Sequence, residues 1–255
     1  MSEAEGYDSL DDSGPVTAIL AGGLATRLGA LTATVPKSLL LVGGEPFIAH
    51  QLRHLARQGY TEVVICAGYL GEQIQSFVGD GSAFGCHVRY SFDGGRLLGT
   101  GGALLHALPL LGKNFLVMYG DSYLREPIPP VWKRFLESAK AALMTVFRNE
   151  DRWDRSNVEF AKGVGGGEIL SYEKAAPRNP EPFRAIRHID YGLGCIRSEA
   201  LRGWAQEERF DLASFYRAML ERRQLAAFEV KERFFEIGSP EGLAETDALI
   251  TRLSF

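Results

Sequence analysis

The amino-acid sequence predicts an α/β fold, with a mostly parallel Rossmann-like sheet, helices on both of its faces and a small antiparallel layer. Three observations predict it. Short apolar runs alternate with helical patterns through the first half of the chain. A glycine pair directly follows the first apolar run, as at a sharp strand-to-helix turn. The second half instead carries two alternating polar and apolar arms around a run of three glycines, which is typical of a hairpin.

The first half supplies the strands and helices of the parallel sheet. Strands are predicted at residues 16–20, 61–67, 87–92 and 115–119. Apolar residues at helical spacing predict a helix over residues 46–58, which ends at Gly59. Further helices are predicted at residues 71–78 and 101–111. Because strands and helices alternate, the strands are expected to run parallel, with helices covering both faces.

The second half predicts the antiparallel layer. A strand at residues 142–147 is followed by a hairpin over residues 157–174, a proline-rich loop and a strand with the sequence HIDYGLGCI. An amphipathic helix is predicted at residues 211–222. Ser239 is the predicted N-cap of a last helix, since a proline and an acid follow it in the first turn. Trp132, Trp153 and Trp204 are interpreted as packing residues.

Composition limits the classes of function. The 255 residues carry a net charge of −4, which argues against a nucleic-acid-binding protein, since such domains carry a basic excess. No apolar run approaches the ~20 residues that span a bilayer, so no membrane partner is expected. Residues 1–14 predict a disordered acidic tail, and residues 15–255 a single cytoplasmic domain. A homo-oligomer remains compatible with these observations.

The loop after the first strand carries the strongest chemical pattern. In ILAGGLATRLG, Gly22 and Gly23 let backbone N–H groups approach a ligand closely. Arg27 and Lys37 flank the same irregular connection. Backbone donors, a forked guanidinium and a compact ammonium are together the groups that bind a polyphosphate. The glycine pair alone is equally consistent with an ordinary turn, because it matches neither the Rossmann nor the Walker spacing.

Two acids stand where strands end. Asp121 follows the apolar run FLVMY, and Glu236 ends an aromatic strand before a glycine turn. Two carboxylates that meet at the carboxyl edge of a sheet could hold Mg²⁺. Taken alone, Asp121 is equally typical of a turn or a helix N-cap.

The stretch LAGGLATRLGALTATVPKSLLLVGGEPFI resembles the N-terminal signature of the sugar-1-phosphate nucleotidylyltransferases. The resemblance continues in order through LGTGGAL, YGDSYL, YEK and FFEIGSPEG, and so covers nearly the whole chain after the tail. It implies the nucleotide-diphospho-sugar transferase type of fold. It also implies a Mg²⁺-dependent reaction in which a nucleoside triphosphate and a sugar 1-phosphate give a nucleotide-sugar and pyrophosphate.

The resemblance also implies roles for single residues. Arg27 and Lys37 would be catalytic, because they neutralise the phosphates, and Asp121 and Glu236 would hold Mg²⁺. The nucleotide would be bound by Ala21, Gly22, Gly23, Arg27, Gly99 and Thr100. The sugar and its phosphate would be bound by Asn157, Glu173 and Lys174, with Asp190 and Tyr191 as further sugar contacts or structural residues.

The sequence departs from the family pattern where substrate choice is expected to lie. Ala25 stands where the family usually has a third glycine, and Glu236 where it usually has aspartate. Asn157 replaces a common glycine, and alanine instead of proline follows Lys174. Guanylyl transfer to a heptose 1-phosphate is the favoured hypothesis. Uridylyl transfer to N-acetylmuramic acid 1-phosphate, cytidylyl transfer to another alcohol phosphate and a non-catalytic nucleotide-sugar-binding regulatory subunit remain as alternatives.

Overall fold

A computed structural model describes residues 14–23, 26–163, 166–173, 186–204 and 209–253. The side chains of residues 26, 27 and 30 are outside this description. The tail predicted at residues 1–14 lies outside it as well, except for Gly14.

The described strands and helices follow the predicted alternation. The strands are β1 (Thr17–Leu20), β2 (Leu41–Val42), β3 (Glu45–Pro46), β4 (Glu62–Ala67), β5 (His87–Phe92), β6 (Asn114–Tyr119), β7 (Ser122–Tyr123), β8 (Ala142–Arg148), β9 (Val158–Ala161), β10 (Glu168–Tyr172), β11 (Ile186–Arg197), β12 (Leu225–Val230) and β13 (Phe235–Glu236). The helices are α1 (Phe47–Arg57), α2 (Gly71–Val78), α3 (Gly99–Leu111), α4 (Ile128–Ser138), α5 (Ser198–Arg202), α6 (Leu212–Glu221) and α7 (Pro240–Leu253).

The parallel part of the sheet is centred on β1. Strand β1 lies between β4 and β6 and runs parallel to both, with Thr17 opposite Val63 on one side and Leu116 on the other. Strand β5 extends the sheet beyond β4, again in parallel. The chain therefore moves outward from β1 to β4 and β5, then returns to the other side of β1 as β6. Such a reversal opens a crevice at the carboxyl ends of β1 and β6, where open α/β sheets bind ligands.

The antiparallel part is built on the long strand β11. Strand β11 runs antiparallel to β6 and to β8, and it also pairs with β9. Strands β9 and β10 form the predicted hairpin. Strand β12 adds to β8 in parallel. The prediction of a mostly parallel sheet with an additional antiparallel layer is confirmed.

Apolar side chains cover both faces of the sheet. One cluster packs α3 and α6 against it, with Leu104 and Phe215 fully buried. A second cluster packs α1, α2 and α4 on the opposite side. A third, smaller cluster joins the β2–β3 and β7–β13 ladders to α7. No helix in the described part of the chain combines the length and the apolar character that crossing a membrane requires.

Candidate functional site

The backbone after β1 approaches two other chain segments closely. A Cβ atom on Gly22 would lie 3.0 Å from the backbone nitrogen of Gly68, and one on Gly120 would lie 2.7 Å from the carbonyl oxygen of Leu20. The Ala21 N–H donates to the carbonyl of Cys66 at 2.9 Å. Glycine is therefore required where strands β1, β4 and β6 end together, because any side chain would force these backbones apart.

These strand ends form the floor of a first cleft, with a volume of about 290 Å³. It is lined by Ala21, Gly22 and Gly23, and on its far side by Gly99 and Thr100. Two of the predicted nucleotide-contact segments therefore meet in one cleft. The Cys66 thiol also lines it, but burial raises its pKa to about 12, so this thiol remains protonated at neutral pH.

The Thr100 hydroxyl has a structural contact. It accepts a hydrogen bond from the backbone N–H of Leu212 at 2.8 Å, at the start of α6. Gly99 has φ +75°, and its backbone lies against the carbonyl of Phe210. These two residues thus fasten α3 to α6 as well as lining the cleft. Both residues belong to the first turn of α3.

Three charged residues of the first cleft were not predicted as site residues: Asp93, Arg209 and Asp211. Asp93 accepts a hydrogen bond from the Leu98 N–H at 3.1 Å. Burial raises the pKa of its carboxyl above the ordinary value. Asp93 lies just beyond β5, so the rule that acids at strand ends mark a site could have found it. Arg209 lies in an irregular segment, where no periodicity signals a function.

Lys37 and Asp121 form an ion pair between the first cleft and a second one. The Lys37 Nζ lies 2.8 Å from the Asp121 Oδ2, and both side chains keep partial exposure, at 21% and 34%. Both residues line both clefts. The structure thus brings together a cation from the loop after β1 and an acid from the end of β6, as the sequence predicted. The Arg27 side chain lies outside the described residues.

A buried glutamine holds the turn that carries Asp121. The Gln51 side-chain amide donates to the carbonyl of Tyr119 at 3.0 Å and to that of Ser122 at 2.9 Å. Gln51 is 1% exposed, on the sheet-facing side of α1. Its two hydrogen bonds bracket Gly120 and Asp121 and so fix the backbone from which the carboxylate extends. No motif in the sequence pointed to Gln51, because a polar residue on a helix is usually exposed.

Glu236 lies beside Asp121 but also caps a helix. In the β7–β13 ladder it pairs with Ser122, the neighbour of Asp121. Its carboxylate accepts hydrogen bonds from the Gly238 N–H and, at 2.6 Å, from the Ser239 hydroxyl. Ser239 in turn accepts from the Gly242 N–H at 3.0 Å, which confirms the predicted N-cap of α7. Glu236 thus stabilises the start of α7 whatever else it binds.

The acids nevertheless suit a divalent cation. A Cβ atom on Gly238 would lie 2.5 Å from the Glu236 Oε2 and 3.6 Å from both the Asp121 Oδ2 and the Lys37 Nζ. The absence of a side chain at Gly238 therefore lets the two carboxylates and the Lys37 ammonium lie close together. Carboxylate oxygens are the ligands that Mg²⁺ prefers. Within the described residues, no cluster of three or more Asp, Glu, His or Cys side chains forms a metal-binding group. Further ligands would have to come from water or substrate.

The second cleft lies over the antiparallel layer and has a volume of about 580 Å³. Asp190 and Tyr191 of β11 line it. Asp190 accepts hydrogen bonds from the Gly192 N–H at 3.0 Å and from the Tyr172 hydroxyl at 3.2 Å. Burial nevertheless raises the pKa of Asp190 to about 6. This carboxylate therefore changes charge close to neutral pH.

Of the other predicted sugar residues, Tyr191 lines this cleft, whereas Asn157 and Glu173 are not among its lining residues. The Tyr191 hydroxyl accepts from the backbone N–H groups of Arg125 and Glu126, at 3.2 and 3.3 Å, so its role includes a structural one. Asn157 accepts a hydrogen bond from the Asp190 N–H at 3.0 Å and thereby supports Asp190. Glu173 follows β10, and its backbone N–H donates to the carbonyl of Asn157 at 2.9 Å. Lys174 lies outside the described residues.

Trp153 and Asp154 also line the second cleft. Trp153 is 37% exposed, so the interpretation of this residue as packing alone is incomplete. The sequence could not distinguish it from the two other tryptophans, because the loop that contains it shows no periodic pattern.

The chain is similar in sequence to several known proteins. Residues 16–157 match the family model described as nucleotidyl transferase. The N-acetylmuramate alpha-1-phosphate uridylyltransferase of Neisseria meningitidis is 47% identical over 104 residues, which span 40% of this chain and 45% of that enzyme. The D-glycero-alpha-D-manno-heptose 1-phosphate guanylyltransferase of Campylobacter jejuni is 26% identical over 224 residues, or 88% of this chain and 94% of that enzyme.

A solved structure shows the same fold. HddC from Yersinia pseudotuberculosis, complexed with GMP-PN, has a TM-score of 0.69 at 20% identity and covers 93% of this chain and all of its own.

Proposed function

The chain belongs to the nucleotidyl transferase family, among the sugar-1-phosphate nucleotidylyltransferases, and from this premise we propose that it joins a sugar 1-phosphate to a nucleoside monophosphate and releases pyrophosphate. One observation carries the proposal. The Lys37–Asp121 ion pair, at 2.8 Å, belongs to the walls of both clefts. Two substrates held one in each cleft would therefore meet at a cation and a carboxylate.

The first cleft is proposed to hold the nucleoside triphosphate. Its floor offers the backbone N–H groups of Gly22 and Gly23, whereas that of Ala21 already donates to Cys66. Backbone donors after a strand suit phosphate oxygens. Arg27 would bind the outer phosphates of the triphosphate. Gly99 and Thr100, on the far side, are placed to contact the base or ribose.

The second cleft is proposed to hold the sugar 1-phosphate, with Asp190 and the residues near Asn157, Glu173 and Lys174 contacting the sugar. A phosphate oxygen of this substrate attacks the α-phosphorus of the triphosphate in line with the departing pyrophosphate. The nucleophile is already an anion, so no side chain needs to remove a proton. Lys37 neutralises charge on the reacting phosphates, and the two cleft walls hold the reactants together.

Mg²⁺ is proposed as the cofactor, held by Asp121 and Glu236. A bound divalent cation supplies neutralisation of the charge that develops on phosphate oxygens. Glu236 would contribute through lone pairs that its bonds to Gly238 and Ser239 do not use.

Guanylyl transfer to a heptose 1-phosphate is the favoured substrate pair. The Campylobacter guanylyltransferase aligns with 88% of this chain and over 94% of its own length. Uridylyl transfer is the second candidate, because the Neisseria uridylyltransferase is more similar over its shorter match. A cytoplasmic location fits both, since nucleoside triphosphates are made and used there. A purely regulatory subunit is disfavoured, because Lys37 and Asp121, which the proposed reaction uses, are both present and form an ion pair.

A matrix assay tests the proposal. Four nucleoside triphosphates are combined with a panel of sugar 1-phosphates, and pyrophosphate release is measured with Mg²⁺ and with a chelator. We expect release with one triphosphate in preference to the others and its loss in the chelator. Tight nucleotide binding without pyrophosphate release in every combination would instead identify a binding protein.

A further inference from the structure

The loop at residues 149–156 is rigidly built for an exposed segment. Asn149 is fully buried, and its side-chain amide donates to the carbonyl of Asp154 and accepts from the Trp153 N–H at 3.4 Å. Asp151 and Ser156 add two reciprocal bonds: the Ser156 N–H donates to Asp151 Oδ1 at 2.7 Å, and the Asp151 N–H donates to Ser156 Oγ at 3.1 Å.

The backbone of this loop is also strained. Glu150 and Asp151 have φ of 52° and 57°, in the left-handed region that is unfavourable for a non-glycine residue. A chain holds such a conformation only where surrounding contacts over-determine it, and such positions cluster at ligand sites. The strain here turns the chain so that Trp153 and Asp154 reach the second cleft.

The Trp153 ring is fixed in place. The Arg233 guanidinium lies 4.3 Å from the ring centroid of Trp153 and 4.2 Å from that of Phe235, so it is held between the two rings. The Phe147 ring packs against Trp153 with centroids 5.6 Å apart. The Arg152 guanidinium also lies over the Trp153 ring, 5.7 Å from its centroid, so moving Trp153 would break several contacts. Trp153 keeps 37% of its surface exposed and lines the second cleft. The apolar faces of sugar rings pack on such aromatic surfaces.

The charges around this cleft are unevenly balanced. Among the described lining residues, four are acidic (Asp121, Asp154, Asp190 and Glu236) and one is a lysine, which Asp121 already pairs. Two nearby arginines have acidic partners of their own: Arg233 lies 2.7 Å from Glu245, and Arg152 lies 2.6 Å from Glu150. Asp154, an exposed residue at the cleft wall, therefore adds negative charge that no lining cation matches.

We propose that Trp153 and Asp154 select the sugar: Trp153 packs on the sugar ring, Asp154 accepts hydrogen bonds from its hydroxyls, and the sugar taken carries no carboxylate. This inference rests on the proposed function and narrows its substrate class. Among the described lining residues no cation is free to pair a sugar carboxylate that approaches Asp154 and Asp190, whereas a neutral sugar donates hydroxyl hydrogens to the same acids.

The first experiment tests Trp153. With the sugar 1-phosphate that the matrix assay selects, Trp153→Ala should raise KM for the sugar substrate about tenfold or more and leave KM for the triphosphate within twofold. Trp153→Phe should recover most of the loss, because it keeps an aromatic face. Trp132→Phe, on α4 away from both clefts, is the matched control. In the unaltered protein, titration with the sugar 1-phosphate should also change tryptophan fluorescence, and Trp153→Phe should remove that change while Trp132→Phe keeps it.

The second experiment tests charge. N-acetylglucosamine 1-phosphate and N-acetylmuramic acid 1-phosphate differ only in an ether-linked lactyl group that carries a carboxylate. We expect kcat/KM to be at least tenfold lower for the acidic sugar. Asp154→Asn should narrow that difference threefold or more, because it removes charge without changing the size of the cleft.

The outcomes separate this inference from the proposed function. If the unaltered chain releases no pyrophosphate with any sugar 1-phosphate, the proposed function fails and the inference fails with it. If the chain is active but Trp153→Ala keeps KM for the sugar substrate unchanged, or the acidic sugar is used as well as the neutral one, the inference alone is wrong. If Asp154→Asn leaves the difference in kcat/KM between the neutral and the acidic sugar unchanged, the selection depends on size and the role proposed for Asp154 is wrong.

Discussion

Gln51 offers a test of how the active carboxylate is positioned. Its amide donates to the carbonyls of Tyr119 and Ser122, which flank Asp121 in the turn after β6. Gln51→Leu keeps a side chain of similar size and removes both donors. If the turn depends on these bonds, Asp121 loses its fixed position relative to Lys37.

The magnitude follows from the contacts. Each hydrogen bond contributes about 1 kcal/mol net, and a buried carbonyl that loses its donor costs about 1–3 kcal/mol. The Gln51 Oε1 has no partner among the described residues, so removing it offsets part of this loss. We expect a net destabilisation of about 2–3 kcal/mol. Misplacing a supporting contact of this kind typically lowers activity about 10–100-fold.

Urea unfolding and pyrophosphate release measure the two effects. With a slope of about 2–3 kcal/mol per molar urea for a protein of this size, the unfolding midpoint of Gln51→Leu should fall by about 1 M. Gln51→Glu should be worse at pH 8 than at pH 5.5. Burial beside two carbonyls raises the pKa of the introduced carboxyl, so the stability it contributes when protonated is lost as pH rises. A Gln51→Leu variant with the wild-type midpoint and kcat would refute the assigned role.

Three further predictions concern Asp190, Gly120 and Thr17. Burial raises the pKa of Asp190 to about 6, so the ionised carboxylate destabilises the folded protein. Asp190→Asn should therefore gain stability over wild type as pH rises from 4 to 7, by at most about 3 kcal/mol. Urea unfolding at a series of pH values measures this, and a difference in unfolding free energy that stays constant with pH would contradict it. Gly120→Ala should destabilise the protein by about 1–3 kcal/mol and weaken nucleotide binding, since its Cβ would lie 2.7 Å from the Leu20 carbonyl oxygen. Gly23→Ala should leave stability unchanged, because no described atom lies within 4 Å of its Cβ position. Unfolding measures stability and calorimetric titration measures nucleotide binding, and equal stabilities of the two variants would count against a close-packed floor. Thr17→Val should be neutral or slightly stabilising in the same unfolding assay, because the buried Thr17 hydroxyl has no described partner, and a loss above about 1 kcal/mol would show that this hydroxyl is in fact satisfied.

The sequence predicted the parallel half of the fold well because its signals are local. The apolar runs of β1, β4 and β6 are short, nearly uniform and bounded by glycine, which is the pattern of strands buried on both faces. Helix α4 escaped notice because the sequence IPPVWKRF begins with two prolines. Prolines are tolerated in a first helical turn, where backbone N–H groups have no helical partner.

Site residues that lie in or next to a recognisable motif were predictable, whereas side-chain contacts between distant parts of the chain were not. Lys37 and Asp121 were assigned from neighbouring sequence, and the structure pairs them. The second function of Glu236, as acceptor for the Ser239 hydroxyl at the start of α7, depends on a side-chain rotamer that no pattern encodes. Gln51 acts across 68 and 71 residues of sequence, and such long-range contacts leave no local signal. The membership of the nucleotidylyltransferase family, predicted from the ordered motifs, is confirmed.

The most direct test of the central claim compares pyrophosphate release by wild type and Lys37→Ala, with the exposed Lys133→Ala on α4 as control. We expect kcat/KM to fall about 10²–10³-fold in Lys37→Ala, because the cation that faces both clefts is lost. We also expect an unfolding free energy within about 1 kcal/mol of wild type, since the Lys37–Asp121 pair is partly exposed. Lys133→Ala should match wild type in both. A Lys37→Ala protein that retains most of its pyrophosphate-forming activity would contradict the account.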